Sequence, residues 1–147
     1  GEIDMTTDNA AIAALKNVSL FTGLDDKTIG RIAQQTKTYR FNDGESVIDE
    51  DASGRFGRLY VIVAGSAAAL VHGASVATFG PGDYFGEMSV LDSSPRSASI
   101  VATSELETLG LSAWNMRSLI REEPDISIHI IETLVARLRA RNDALGD

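Results

Sequence analysis

The spacing of apolar residues changes twice along this chain and divides it into three zones. Asp8 to Lys16 is alanine-rich and reads as a short helix. An apolar connector, Val18 to Leu24, follows and turns at Gly23. From Asp25 to Gln35 the apolar positions Ile29, Ile32 and Ala33 share one face of a second helix, with acids at its start where the helix dipole favours them. Between Lys37 and Ser112 the period shortens. Runs rich in Val, Ile, Leu, Tyr and Phe alternate with turn chemistry at Asn42-Asp43-Gly44, His72-Gly73 and Gly80-Pro81-Gly82-Asp83. These runs predict strands at 37–41, 46–49, 58–63, 66–71, 74–79, 97–102 and 107–112. Short strands at close spacing argue for an antiparallel barrel or jelly roll, and the one helical interruption is Glu87 to Leu91.

After Ser112 the helical period returns. Ser112 can cap a helix running to Glu123, with Met116, Leu119 and Ile120 facing inward. Pro124 breaks it, and a long helix from about Asp125 to Leu145 carries Ile131, Leu134, Leu138 and Leu145. Arg141 stands where another apolar residue would complete that stripe. The zones are 1–36, 37–112 and 113–147, and they form one domain.

Bulk properties narrow the function. A chain of 147 residues with 44% hydrophobic content can bury a real core. It has no cysteine, which excludes disulfide and thiolate chemistry and fits a reducing compartment. A net charge of −8 opposes binding to nucleic acid or to an anionic membrane. The longest apolar run, Leu59 to Val71, is broken by Gly65-Ser66 and is too short to span a bilayer. The polar, acidic N-terminus lacks signal-peptide character, so the expected location is the cytoplasm.

The candidate chemistry lies in Phe85 to Ser99, FGEMSVLDSSPRSAS. Glu87 heads a short helical turn, and Arg96 follows nine residues later. An ionised carboxylate accepts a strong hydrogen bond from a sugar hydroxyl. A guanidinium offers a planar fork to phosphate oxygens and never deprotonates. Pro95 stiffens the approach to Arg96. Free N–H groups of the turn that includes Met88 and Ser89, with the backbone of Ser97 and Ala98, add donors to the same anion. Gly86 allows close backbone approach, and Ala98 is too small to block it. One arginine matches one phosphate charge, so the segment suits a singly charged phosphodiester that carries a ribose hydroxyl. Charge-assisted bonds of this kind contribute roughly 1.5–3 kcal/mol each. The remaining polar residues form no catalytic set. His72 and His129 have no metal-ligand spacing. Ser89, Ser93 and Ser94 lack a positioned histidine. Asp49, Glu50 and Asp51 read as a solvated loop, and Trp114 lies off the inner face of its helix.

Taken as a whole, Phe85–Ser99 resembles the phosphate-binding cassette of cyclic nucleotide-binding domains, the sensor modules of catabolite-activator-type regulators, cyclic-nucleotide-dependent kinases and gated channels. Leu20–Leu24, the Leu59–Gly65 run with its closing glycine, Gly82–Glu87 and Pro124-Asp125-Ile126 extend the likeness over most of the chain. The resemblance implies a mainly β fold, an eight-stranded antiparallel jelly roll with N-terminal helices and a C-terminal helical lid. It implies a non-enzymatic regulatory domain whose ligand, not a cofactor, is cyclic AMP or cyclic GMP. Phe85, Gly86, Glu87, Met88, Ser89, Arg96, Ser97 and Ala98 would contact it, and Leu138, Arg141 and Asn142 would come from the lid. A hydroxyl at Ser97 suits either base, whereas Asn142 can both donate to and accept from an adenine edge, which favours cyclic AMP. In activator-type relatives the last helix also pairs with its twin. Ile131, Leu134 and Leu138 could form that homodimer seam or pack on the barrel, and the sequence leaves both open. No effector portion follows the last helix, so the implied output is a separate effector protein or a missing effector domain. The rival reading is an interaction module with a vestigial pocket, against which the intact Glu87 and Arg96 speak.

Overall fold

A computed structural model describes residues 5–48, 57–86 and 98–144. Helix α1 (Met5–Lys16) begins about one turn earlier than the alanine-rich run suggests. A 3-10 turn at Ser19–Phe21 buries Leu20 and Phe21. Helix α2 (Asp26–Gln35) starts at the carboxylate of Asp25, which accepts the Thr28 N–H at 2.8 Å. Those hydrogen bonds from Thr28 hold the Asp25 carboxyl below its usual range. The predicted face, Ile29, Ile32 and Ala33, is buried.

The strands are β1 (Lys37–Phe41), β2 (Ser46–Ile48), β3 (Arg58–Ala64), β4 (Ala67–Val71), β5 (Ala74–Phe79), β6 (Tyr84–Phe85), β7 (Ser99–Ala102) and β8 (Leu106–Ser112). They form two four-stranded sheets, in the orders β1-β8-β3-β6 and β2-β7-β4-β5, with antiparallel pairing. This is the expected eight-stranded roll. Strand β6 is the one that periodicity missed, because two residues show no alternation beside a Gly-Pro-Gly-Asp turn. That turn fastens β6 to β3: the Gly82 N–H donates to the Ile62 carbonyl at 3.0 Å, and the Ile62 N–H donates to the Asp83 carbonyl at 2.9 Å.

Alternation along the strands creates two cores. Inside the roll, Tyr60, Ile62, Phe85 and Leu106 of one sheet meet Ile48, Ala67, Ala69, Ile100 and Ala102 of the other. Outside it, Leu59, Val61, Tyr84, Leu109 and Leu111 pack against Leu15, Phe21, Ile32, Met116, Ile126 and Ile130 of the helical segments. Tyr84 and Phe85, adjacent in β6, therefore look to opposite sides of the same sheet.

Helix α3 (Ala113–Glu122) is capped by Ser112, whose Oγ accepts the Asn115 N–H at 3.1 Å. Met116 and Leu119 are buried, and Ile120 is half-buried. The break falls at Glu123. Pro124 opens α4 (Pro124–Ala144), where a fixed φ suits the first helical position and the missing N–H is not needed. The stripe expected on this helix splits in two. Leu134 packs towards the core with Ile126 and Ile130, whereas Ile131 and Leu138 are 58% and 59% exposed. Ile128 and Val135 join them on the outward side. The helix is apolar on two faces, so a single stripe could not be read from it. Among the described residues no helix is long and apolar enough to cross a membrane.

Candidate functional site

The roll sets the two ends of the 87–97 segment. Phe85 is buried and stacks on Tyr60, with ring centroids 5.4 Å apart and planes 24° from parallel. Phe79 lies 5.5 Å away and Tyr39 meets Tyr60 edge-on, so Phe85 sits in an aromatic cluster. Arg58 caps that cluster 5.0 Å above the Tyr39 ring, and hydrogen bonding with Tyr60 raises its guanidinium above the ordinary value. Gly86 follows with a φ of +95°, which turns the chain out of β6. At the other end, Ala98 packs against the same inner cluster as Phe85 just before β7 begins. Glu87, Met88, Ser89, Arg96 and Ser97 lie outside the described residues. Phe85 and Ala98, which flank the 86–97 stretch in the sequence, thus pack in the same inner cluster, and Gly86 directly follows Phe85.

Sequence reasoning missed the wall beside this point. In cross-strand rows, Phe79 pairs with Ala67 and Ala67 with Ala102, while Ala77 pairs with Ala69 and Ala69 with Ile100. Because Ala67, Ala69, Ile100 and Ala102 all belong to the inner cluster, Ala77 also faces inward, yet it is exposed. The roll is open at this end, which is the end where Ala98 sits. The signal was present as Ala67-Ala68-Ala69 within a strand, where small residues replace the β-branched ones that usually fill it.

A groove of about 330 Å³ continues outward from that edge, lined by Ala77, Phe79 and Tyr84 of the strands and Thr133 and Arg137 of α4. Arg137, also missed, lies 6.0 Å from the Tyr84 ring centroid. Tyr84 and Thr133 share a hydrogen bond of 2.7 Å. Beyond this point α4 is exposed from Val135 to Ala140. Leu138 and Asn142 are exposed, and position 141 lies about one turn past Arg137. Of the predicted lid residues, Leu138 and Asn142 are thus exposed on the last turns of the helix, and the Arg141 side chain lies outside the described residues.

Other candidates are structural. His129 Nδ1 donates to the Leu20 carbonyl at 2.9 Å and so fastens α4 to the 3-10 turn. His72 occupies the β4–β5 turn with a φ of 50°. Trp114 is 80% exposed. A larger groove, about 580 Å³, runs along α2 past Lys27, Arg31, Gln34 and Glu123, and no strand residue lines it. Its charges offset one another, with Arg31 bridging Glu122 at 3.6 Å and Glu123 at 3.3 Å.

Residues 38–123 match the family described as "Cyclic nucleotide-binding domain". The chain is 29% identical over 138 residues to a CRP-like cAMP-activated global transcriptional regulator of Mycobacterium tuberculosis, covering 90% of this chain and 61% of that one. It is 34% identical over 114 residues to a cGMP-dependent protein kinase of Toxoplasma gondii, covering 77% of this chain and 11% of the kinase. Among solved structures, cAMP-bound PfPKA-R aligns with a TM-score of 0.82 at 25% identity, covering 96% of this chain and 48% of that one. The catabolite activator protein of Thermus thermophilus aligns with a TM-score of 0.78 at 30% identity, covering 86% and 61%. The chain therefore spans less than two thirds of each of these proteins.

Proposed function

This chain belongs to the cyclic nucleotide-binding domain family, and on that premise we propose that it senses cyclic AMP in preference to cyclic GMP and reports binding through movement of α4. The observation that carries this reading is that Phe85 and Ala98, the residues bounding the cassette, pack in one inner cluster of a roll that is open beside Ala77. In this reading Glu87 and Arg96, which lie between those residues in the sequence, act at the mouth of an apolar, alanine-walled interior. Glu87 would accept the ribose 2′-hydroxyl, Arg96 would fork onto the cyclic phosphate, and backbone donors of Met88, Ser89, Ser97 and Ala98 would complete the anion site. The base would lie towards Ala69 and Ala77, with Leu138, Arg141 and Asn142 closing over it from the end of α4. Ligand would favour the closed arrangement by its differential affinity for it. Cyclic AMP-bound or cyclic AMP-activated relatives support the choice of base, as does an asparagine able to read adenine. Calorimetric titration with each nucleotide tests the reading. Binding of cyclic AMP tighter than cyclic GMP is expected; heat from neither, with folded protein, would overturn it.

We further propose that α4 pairs with its copy in a second chain. Ile128, Ile131, Val135 and Leu138 are exposed at successive spacings of 3, 4 and 3, and Asn142 continues the series. This is a two-stranded coiled-coil seam, where a buried asparagine fixes register. Light scattering should show twice the chain mass, and Ile131→Glu with Leu138→Glu should give the monomer. A monomeric parent protein would refute the seam. Output would then pass from α4 to an effector domain or partner protein, in a location expected to be cytoplasmic. The charge of −8 argues that nucleic acid is not that partner for this chain alone.

A further inference from the structure

We propose that the Tyr84 hydroxyl is a positioning group that holds α4 in its present orientation through Thr133 and so opposes closure over the ligand. Strand β6 is only two residues long and, among the described residues, pairs with β3 alone. Its alternation sends Phe85 into the roll, stacked on Tyr60, and Tyr84 out towards α4. Both residues are rigidly placed, since Tyr60 pairs with Phe85 and Val61 with Tyr84, and Gly82 and Asp83 bond to Ile62 just before them. One short strand thus ties the inner wall of the site to the outer helix.

The first half of α4 is held by buried and hydrogen-bonded side chains. Ile126 and Ile130 are buried, and His129 is bonded to Leu20. Thr133, one turn on, is bonded to Tyr84 at 2.7 Å, and Leu134 packs beside it. Every residue from Val135 to Ala140 is exposed. The Tyr84–Thr133 bond lies where the exposed part of the helix begins, at the base of the segment that would have to move. Tyr84 is 4% exposed, and its hydroxyl loses this partner if the helix swings. An arrangement in which residues 138–142 reach the roll must carry Thr133 away from this partner or rotate it. The bond therefore weights the equilibrium towards the arrangement seen here, and apparent ligand affinity falls by the fraction of chains so held. This coupling rests on the sensor reading; the hold itself does not.

The test uses Tyr84→Phe and Thr133→Val, each of which keeps shape and loses one hydroxyl, with Thr133→Ser as the variant that retains it. Hydrogen exchange of the α4 amides beyond Thr133 should quicken in the first two variants and match the parent in the third. Amides of β3 and β8 should stay unchanged in all, which separates release of the helix from general loosening. Cyclic AMP should bind Tyr84→Phe and Thr133→Val about two- to tenfold more tightly, the range one hydrogen bond commands, and the double variant no more tightly than either. Unchanged exchange in α4 would overturn the hold. Unchanged or weaker affinity would overturn its coupling to ligand. If the parent binds neither nucleotide, the sensor reading fails, and the exchange result still decides whether Tyr84 holds the helix.

Discussion

Replacing Arg96 with alanine should lower the affinity for cyclic AMP by about 10²–10⁴-fold while leaving the fold intact. The magnitude follows from the bonds removed. A guanidinium forked onto a phosphate makes two charge-assisted hydrogen bonds, each worth roughly 1.5–3 kcal/mol, and each 1.4 kcal/mol is tenfold in binding. Nothing nearby in sequence can take its place, since Arg96 is the one cationic residue between Arg58 and Arg117. Arg96→Lys keeps the charge but loses the fork, so its affinity should fall between those of the parent and the alanine variant. Glu87→Ala should add a smaller loss, about tenfold or more, confined to ligands that carry the 2′-hydroxyl. The fold should survive because Phe85 and Ala98, which flank the segment, pack inside the roll. Calorimetry on the parent and the three variants, with circular dichroism as the folding control, decides the matter. Retention of cyclic AMP affinity within tenfold by Arg96→Ala would remove that arginine from the site.

How far this architecture could be read beforehand depended on how many residues each feature used. Strands of five or more residues, such as β3 and β5, announced themselves by composition and by glycine turns at both ends. Strand β6 did not, because its two residues are specified by pairing with β3 across the fold and not by any local period. The cap at Ser112 was legible, since it places one oxygen over one nearby N–H; Asp25 was read as an acid inside the helix favoured by the dipole, when its carboxylate caps the helix at Thr28. Pro124 was read as a break when it is a beginning; a proline serves both, and only the turn at Glu123 tells them apart. Leu134 was assigned with Ile131 and Leu138 because a long helix apolar on two sides carries overlapping stripes. Which stripe meets the protein depends on packing against Leu20 and Tyr84, far away in sequence. The cassette motif was visible as a motif, whereas the alanine wall and Arg137 were not. They acquire meaning only when β4, β5, β7 and α4 are brought to the same edge.

The largest expected loss of stability comes from Gly65→Ala, in the turn between β3 and β4. The closing glycine of Leu59–Gly65 has a φ of +92°, where an L-residue costs about 1–2 kcal/mol. An added Cβ would also run into the carbonyl oxygen of Glu105 and approach the Leu106 Cα to 3.0 Å. Both obstacles are backbone, so no side-chain rotation relieves them. Nor can the two loops separate easily. The Ser66 N–H donates to Ser104 Oγ at 3.0 Å, the Thr103 N–H to the Ser66 carbonyl at 3.0 Å, and the Ser66 and Thr103 hydroxyls lie 2.7 Å apart. The variant must either break this interlock or distort β8 at Leu106, which is buried in the roll. A combined cost of about 3–5 kcal/mol is expected, a fall in Tm of roughly 6–20 °C for a domain of this size. Gly30→Ala provides the opposite sign in the same assay. Gly30 lies inside α2, where an added methyl would rest 4.0 Å from Ile12 Cδ1, an ordinary contact. Removing a helical glycine there should raise stability by about 0.5–1 kcal/mol. Urea denaturation of both variants beside the parent measures the pair. A Gly65→Ala midpoint close to that of the parent would mean that the two loops are not locked together as described.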